Sequence, residues 1–155
     1  IEIELRKMPK KQMQALLNRN PSYVFFQKLK GRSITYLGTP TVPGRTIATD
    51  YGYFPKGTLA FLNYEKPVFP TAESQEPSSW EPASRFVMDQ DTGGAIRGTG
   101  RVDMYWGKGA EAARFAGVMK RHGRLHYLVP KREFIEQLKN PDFKLKKKEK
   151  DNVKK

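Results

Sequence analysis

The segment from Asp91 to Gly107 places the strongest constraint on the fold, because four glycines lie between its two aspartates. Glycine weakens the interior of helices and strands, lets the chain turn tightly and lets a ligand approach the backbone closely. We therefore expect a glycine-rich loop whose ends are held by neighbouring strands. The second aspartate, Asp103, precedes Tyr105 and Trp106, whose rings offer flat apolar faces with polar edges. Carboxylates, accessible backbone and aromatic faces together are typical of a site that holds and cleaves a sugar chain.

Short apolar segments separated by turn signals make up most of the chain. Runs rich in β-branched and aromatic residues and bounded by Gly, Pro, Asn or Asp predict strands at residues 22–27, 45–50, 58–62, 85–90, 99–105 and 125–129. Helical signals cover only residues 9–18, 110–121 and 131–138. The prolines and serines of residues 64–83 predict a long loop. This pattern predicts a mainly β fold, a small barrel with one or two short helices.

Composition narrows the class of protein and of partner. At 155 residues the chain is long enough for one domain with a real core, and without cysteine it has neither disulfides nor thiolate metal sites. Its net charge of +13 favours an anionic partner such as nucleic acid, anionic lipid or an acidic wall polymer, although solubility alone also explains it. The lysines of residues 144–155 predict a solvated, disordered tail. Because the chain begins with Ile1 rather than Met, we expect it to be processed or truncated.

The residues able to do chemistry are mainly aspartates near the ends of predicted strands. Asp50, Asp91 and Asp103 each follow or end an apolar run, and a carboxylate there either binds substrate or caps a turn. The chain has two histidines and no phosphate-binding loop, so we expect no metal and no cofactor. Asp91-Thr92-Gly93 also matches the short signature of aspartic proteases. Those enzymes need two such loops, so this chain, which has one, would have to dimerise.

Several blocks of the sequence, in order, resemble the membrane-bound lytic murein transglycosylase A family over residues 13–130, including its 3D domain, named after three aspartates. These blocks are Asn20–Phe26, Gly38–Pro40, Gly44–Asp50, Pro55–Thr58, Asp91–Ile96, Arg101–Gly107, Gly109–Ala112 and Ala116–Lys120. The resemblance implies a double-psi β-barrel. It also implies an enzyme that cleaves the bond between N-acetylmuramic acid and N-acetylglucosamine in peptidoglycan and leaves a 1,6-anhydromuramic product.

The resemblance further implies roles for individual residues. The catalytic acid falls on Asp103, which protonates the glycosidic oxygen and then takes a proton from the C6 hydroxyl of the sugar itself. Asp91 joins Asp103 in the catalytic set. Tyr105 and Trp106 are the candidates for stacking on sugars, and we expect at least one of them to be core. Arg97 and Arg101 either meet carboxylates of the peptide stem or are ordinary surface arginines. The predicted substrate-binding residues are Asp50, Gly93, Gly94, Tyr105, Trp106 and Arg101.

We divide the chain into a helical lead-in over residues 1–20, a barrel domain over residues 21–130, and a C-terminal helix with its lysine-rich tail over residues 131–155. Family members normally have a long N-terminal part. We therefore expect glycan strands of peptidoglycan and a separate N-terminal portion of the same protein as partners, and no nucleic acid. The resemblance implies a periplasmic place in the bacterial envelope, associated with the outer membrane in the full-length protein. Two alternatives stay open: a barrel that binds glycan or another anionic polymer without cutting it, and a basic nucleic-acid-binding barrel.

Overall fold

The computed structural model describes residues 2–22, 28, 31–140 and 143. The chain forms two compact units, Ile1–Arg32 and Ser33–Lys155. Residues 23–27 of the predicted first strand and the lysine-rich tail lie outside the described residues. The domain limits at residues 20 and 130 stay predictions.

The first unit contains two short helices separated by a proline. They are α1 (Glu2–Lys7) and α2 (Lys10–Leu17). Pro9 immediately precedes α2, where its restricted φ suits the start of a helix and its missing N–H breaks no helical hydrogen bond. The sequence predicts α2 over residues 9–18, which the structure confirms within one residue at each end, but it does not predict α1.

A five-stranded sheet organises the described part of the second unit. Its strands are β1 (Thr46–Ala48), β2 (Thr58–Val68), β3 (Ser79–Asp91), β4 (Asp103–Met104) and β5 (Arg124–Tyr127), in the spatial order β4-β1-β3-β2-β5. β1 and β3 run parallel, and the other neighbouring pairs are antiparallel. Two helices accompany the sheet, α3 (Ala110–Val118) and α4 (Arg132–Leu138). The protein is therefore rich in sheet with few helices, as the sequence predicts.

β2 and β3 form a long hairpin where the sequence predicts a loop over residues 64–83, so that prediction is wrong. The strands pair as far as Val68 opposite Ser79, which confines the loop to residues 69–78. Pro67 and Pro82 lie inside the ladder. At these positions the described β2 and β3 pair only with each other, and proline is tolerated in a strand that has no neighbour on its N–H side.

The predicted strand over residues 99–105 is also too long. Only Asp103–Met104 forms β4, because the glycine-rich loop still turns at Thr99 and Gly100. Asp103 therefore begins a strand instead of lying near the end of one. The other predicted strands from residue 45 onward and both later helices overlap observed elements.

The core lies on one face of β2 and β3. Side chains alternate along β2, so that Ala60, Leu62 and Tyr64 are buried. Together with Ile47 and Val87 they form a cluster against which Trp106 and other half-buried side chains pack. β1 is buried along its whole length, and the core therefore fixes the strand from which the candidate site is built.

Candidate functional site

Two predicted catalytic residues flank one residue of β1. Ala48 pairs with Asp91 of β3 on one side and with Asp103 of β4 on the other. Because neighbouring strands lie about 4.8 Å apart, the Cα atoms of the two aspartates are about 10 Å apart. The sheet thus brings together two carboxylates that bracket the glycine-rich loop in the sequence.

The two aspartates line one open cleft of about 250 Å³. Its walls come from β1, the end of β3, the glycine-rich loop and β4, namely Thr46, Ile47, Ala48, Asp91, Thr92, Ile96, Asp103, Met104 and Tyr105. The cleft therefore offers a ligand two carboxylates and one aromatic ring, which come from β3 and from the β4 segment on either side of β1. The sequence does not predict the β1 residues at the site, since a short apolar run indicates only a core strand.

A register irregularity separates Asp91 from its near neighbour Asp89. Ile47 pairs with Asp89 and the next residue, Ala48, pairs with Asp91, so Gln90 is an extra residue in β3. Such a bulge re-aims the side chains around it. Asp89 is fully buried, whereas Asp91 lines the cleft. In a regular strand Asp89 and Asp91 would lie on the same face, but the bulge separates them.

The Asp91 side chain is held by the backbone of a preceding loop. Its Oδ1 accepts a hydrogen bond from the Tyr36 amide at 2.9 Å. The Asp91 carbonyl also accepts a hydrogen bond from the Thr49 amide at 3.3 Å. These contacts fix the residue at the rim of the cleft, and nothing in the local sequence around Asp91 indicates Tyr36 as a partner.

Asp103 forms a two-pronged ion pair with Arg101. The Nε and Nη2 atoms of Arg101 donate to Oδ1 and Oδ2 of Asp103 at 2.8 and 2.9 Å. The two side chains are 48% and 43% exposed, so Asp103 faces the cleft and is not buried away from it. The hydrogen bonds to Asp103 raise the pKa of the Arg101 guanidinium above its already high value. Arg101 therefore forms its ion pair with a residue of the candidate site itself.

Asp50 does not line the cleft. It is 5% exposed, and its two oxygens accept hydrogen bonds from the amides of Gly52 and Gly98. These two hydrogen bonds hold the pKa of the Asp50 carboxyl below its usual range. The geometry matches the turn-capping role that short polar side chains take beside glycines.

The remaining predicted residues divide between two sides of β4. Tyr105 lines the cleft with Asp103, whereas Trp106 lines a second depression of about 380 Å³ beside Lys66 and Lys108. Trp106 also stacks on Phe115, at 5.3 Å between ring centroids, and packs on the core. Consecutive residues of an extended segment point to opposite sides, which explains the separation.

Gly93 and Gly94 lie between two lining residues, Thr92 and Ile96. A Cβ added at Gly94 would meet nothing within 4 Å, whereas one at Gly93 would touch Ile96 at 3.5 Å. The backbone at Gly94 is therefore open to an approaching ligand.

A buried polar cluster that the sequence did not predict supports the end of β1. Lys56, Thr49 and Tyr127 all hydrogen-bond to the Asp89 carboxylate. Burial and the hydrogen bond to Asp89 raise the pKa of the Tyr127 hydroxyl. One member, Thr49, directly precedes Asp50 in the sequence, and the cluster holds the strand from which the cleft is built.

Within the described residues, no group of three or more His, Asp or Glu side chains is placed to hold a metal ion. In the same part of the chain, no helix has the length and apolar character needed to cross a bilayer.

Residues 45–129, more than half of the chain, match the 3D domain family. The chain is also similar to membrane-bound lytic murein transglycosylase A (MltA) of Escherichia coli strain K12, at 30% identity over 122 residues, which are 76% of this chain and 31% of that protein. The chain thus spans about a third of the length of this relative.

Solved structures give the same picture. MltA of Neisseria gonorrhoeae, in a monoclinic crystal form, has a TM-score of 0.64 and 36% identity, over 81% of this chain and 30% of that one. E. coli MltA with bound chitohexaose has a TM-score of 0.59 and 28% identity, over 79% of this chain and 35% of that one. The chain therefore belongs to the membrane-bound lytic murein transglycosylase A family, of which it carries the 3D domain.

Proposed function

We propose that this chain provides the catalytic residues of a peptidoglycan lytic transglycosylase. The enzyme would cleave the bond between N-acetylmuramic acid and N-acetylglucosamine and form 1,6-anhydromuramic acid. The observation that supports this most directly is the placement of Asp91 and Asp103 on either side of Ala48, at one open cleft. The similarity to lytic murein transglycosylases supports the substrate class.

In the proposed mechanism Asp103 acts first as an acid and then as a base. It gives its proton to the glycosidic oxygen as the bond from that oxygen to C1 breaks. The C6 hydroxyl oxygen of the same sugar then bonds to C1, and its proton returns to Asp103. One carboxyl serves both steps because the nucleophile belongs to the substrate, whereas hydrolytic glycosidases need two carboxyls at a defined separation.

The other cleft residues support this chemistry without exchanging protons. The negative charge of Asp91 stabilises the positive charge that develops at C1 as the bond breaks. Tyr105 lines the cleft together with Asp103, which supports the proposal that its ring stacks on a sugar. The open backbone at Gly94 lets the glycan approach, whereas Gly93 lies close to the Ile96 side chain. Asp50 acts indirectly, by holding the loop that contains Gly98.

The proposal extends to the fold and to the rest of the protein. Among the described strands, β4 and β5 each have one neighbour. We propose that strands from a separate N-terminal portion of the same protein complete a double-psi β-barrel and the opposite wall of a glycan groove. Because the relatives are named as membrane-bound, we also propose a periplasmic site of action at the outer membrane, on glycan strands and not on nucleic acid.

The decisive experiment compares the Asp103→Asn variant with the unaltered protein on purified peptidoglycan. Since general acid catalysis contributes about 10²–10⁴-fold, we expect anhydro-muropeptide formation, measured by mass spectrometry, to fall by that factor. Glu81→Gln, at an exposed position of β3, is the matched control and should retain full activity. Near-normal activity of Asp103→Asn would eliminate the mechanism.

A second candidate function is a barrel that binds glycan or another anionic polymer without cutting it. The Arg101–Asp103 ion pair and the net charge of +13 favour it, because both suit binding more than acid catalysis. Binding to peptidoglycan without any anhydro product, by the intact protein, would select this candidate. Affinity for DNA or RNA with none for wall material would contradict the enzyme and select a basic nucleic-acid-binding barrel instead.

A further inference from the structure

The Arg101 side chain is fully engaged at the candidate site. Besides its two contacts to Asp103, it donates from Nη1 to the Ala95 carbonyl at 2.9 Å. The guanidinium is thus anchored to the glycine-rich loop on one edge and to the proposed acid on another. All three nitrogens of its planar fork point at acceptors that lie within six residues of Arg101 in the sequence.

This arrangement conflicts with the first step of the proposed reaction. A general acid needs a proton on one carboxyl oxygen, but both oxygens of Asp103 already receive N–H groups from Arg101. Arginine has no acceptor atom and does not give up its own proton. A protonated Asp103 would therefore set an O–H group against an N–H group, so the paired state is a resting state in which the acid is charged.

We infer that Arg101 is a positioning residue that holds Asp103 in this charged resting state. Arg101 releases Asp103 when a carboxylate of the substrate replaces Asp103 as its ion-pair partner. The inference rests on the proposed function. Arginine binds carboxylates of any origin with the same two-pronged geometry, so a carboxylate of the peptide stem is a chemically equivalent partner. The contact to the Ala95 carbonyl keeps the guanidinium close to the loop during the exchange.

The exposure of the pair makes the exchange feasible. Both side chains are close to half exposed, and ion pairs of this kind contribute little to stability because water screens them. Among the described residues, the titratable groups that line the cleft are Asp91, Asp103 and Tyr105, and β1 contributes no titratable group. Arg101 forms its ion pair with Asp103 beside them. When Arg101 leaves, both Asp103 oxygens lose the N–H groups that they accept, and either oxygen can then carry a proton.

The first test is the pH dependence of kcat/KM in the intact protein, on soluble peptide-bearing glycan fragments. Both Asp103 oxygens accept N–H groups of Arg101, and these contacts favour the charged carboxylate. We therefore expect Arg101→Gln to move the alkaline limb of the profile upward. Arg101→Lys, which keeps the charge but loses the two-pronged geometry, should move it less. Arg132→Gln, at an exposed position of α4 outside the cleft, is the control and should leave the limb in place.

The second test measures binding by calorimetry, with a peptide-bearing glycan fragment and with chitohexaose as the uncharged comparison. Loss of a charge-assisted hydrogen-bond pair should weaken binding of the peptide-bearing fragment by Arg101→Gln about tenfold. Binding of chitohexaose should not change. If Arg101→Gln does not fold, as judged by circular dichroism, Arg101→Lys decides both tests on its own.

An unmoved pH limb in the folded Arg101 variants would overturn the inference, and so would an equal loss of affinity for the two ligands. Neither result would affect the proposed function, provided that Asp103→Asn is inactive. Near-normal activity of Asp103→Asn would instead remove the proposed function, and this inference with it.

Discussion

Lys56 and Asp89 form an ion pair of 2.9 Å in which the side chains are 6% and 0% exposed. The Lys56 ammonium also donates to the carbonyl and hydroxyl oxygens of Thr49. The second carboxylate oxygen of Asp89 accepts from the hydroxyls of Thr49 and Tyr127, both at 2.6 Å. Every charge in this cluster is therefore compensated, and the cluster ties the end of β1 to β3 next to the cleft.

Removing the ammonium should strongly destabilise the protein. Lys56→Met leaves a buried carboxylate without its cation, and breaking a buried pair in this way costs about 3–5 kcal/mol. We expect the free energy of unfolding, measured by urea denaturation, to fall by that amount. The double variant Lys56→Met/Asp89→Asn is the control. It removes the uncompensated charge while keeping an oxygen to accept hydrogen bonds, so it should be more stable than Lys56→Met alone, and an equal or larger loss would contradict this account.

Asp50 should make the stability of the protein depend on pH in the acid range. Its pKa is lowered by the amides of Gly52 and Gly98, so the folded state binds this proton less tightly than the unfolded chain does. The stabilisation is present above about pH 4, where an unfolded aspartate titrates, and is lost as the pH falls through the lower folded pKa. In Asp50→Asn the slope of the unfolding free energy against pH below about pH 4 should be smaller.

The same variant should loosen the glycine-rich loop at neutral pH. An asparagine keeps one acceptor oxygen but turns an NH₂ group toward one of the two amides. We expect hydrogen exchange at the Gly98 amide to accelerate about tenfold, which corresponds to the loss of one hydrogen bond. Glu81→Gln controls for the loss of a negative charge elsewhere. Unchanged exchange at Gly98 would mean that Asp50 does not hold the loop.

Much of the secondary structure was predictable because its signals are local. Periodicity, glycines and prolines located α2, α3 and α4, the first half of β2 and the second half of β3. The hairpin of β2 and β3 was missed because its two prolines are tolerated only where a strand lacks a neighbour, and neighbours are not visible in a linear sequence. The predicted β4 began too early because the sequence does not show which of Gly98 and Gly100 ends the turn.

The candidate site was predictable in its residue types more than in its contacts. The spacing of Arg101 and Asp103 places both side chains on one face of an extended segment, so their pairing was available from the sequence. The pairing of Lys56 with Asp89 spans 33 residues and has no local signal. The bulge that separates Asp89 from Asp91 depends on the register with β1, which only the assembled sheet determines.

Arg114 of α3 should control the order of the loop between β2 and β3. Its Nη1 donates to the carbonyls of Thr71 and Ala72 at 2.8 and 2.5 Å, and its guanidinium lies 4.3 Å from the centre of the Phe69 ring. A lysine cannot both donate to these carbonyls and lay a planar cation over the ring, so Arg114→Lys should lower the free energy of unfolding by about 0.5–1.5 kcal/mol. Hydrogen exchange in residues 70–76 should accelerate at the same time. Arg132→Lys, at an exposed position of α4, should change neither quantity.

Gly123, just before β5, should tolerate no side chain. A Cβ added there would lie 2.6 Å from the Asn63 carbonyl oxygen, which belongs to the β2 backbone and has no flexible side chain to move aside. Gly123→Ala must therefore shift β5 away from β2, and overpacking of this kind costs about 1–3 kcal/mol. Thermal and urea unfolding measure the loss.

The matched control for Gly123→Ala is the same substitution at Gly117, inside α3. A Cβ at Gly117 meets nothing within 4 Å, and alanine favours a helix interior over glycine by up to about 1 kcal/mol. The two substitutions add the same methyl group but should change the unfolding free energy in opposite directions. If the unfolding free energy of Gly123→Ala were unchanged or higher, β5 would be able to move relative to β2. The pairing of β5 with β2 would then not constrain the fold.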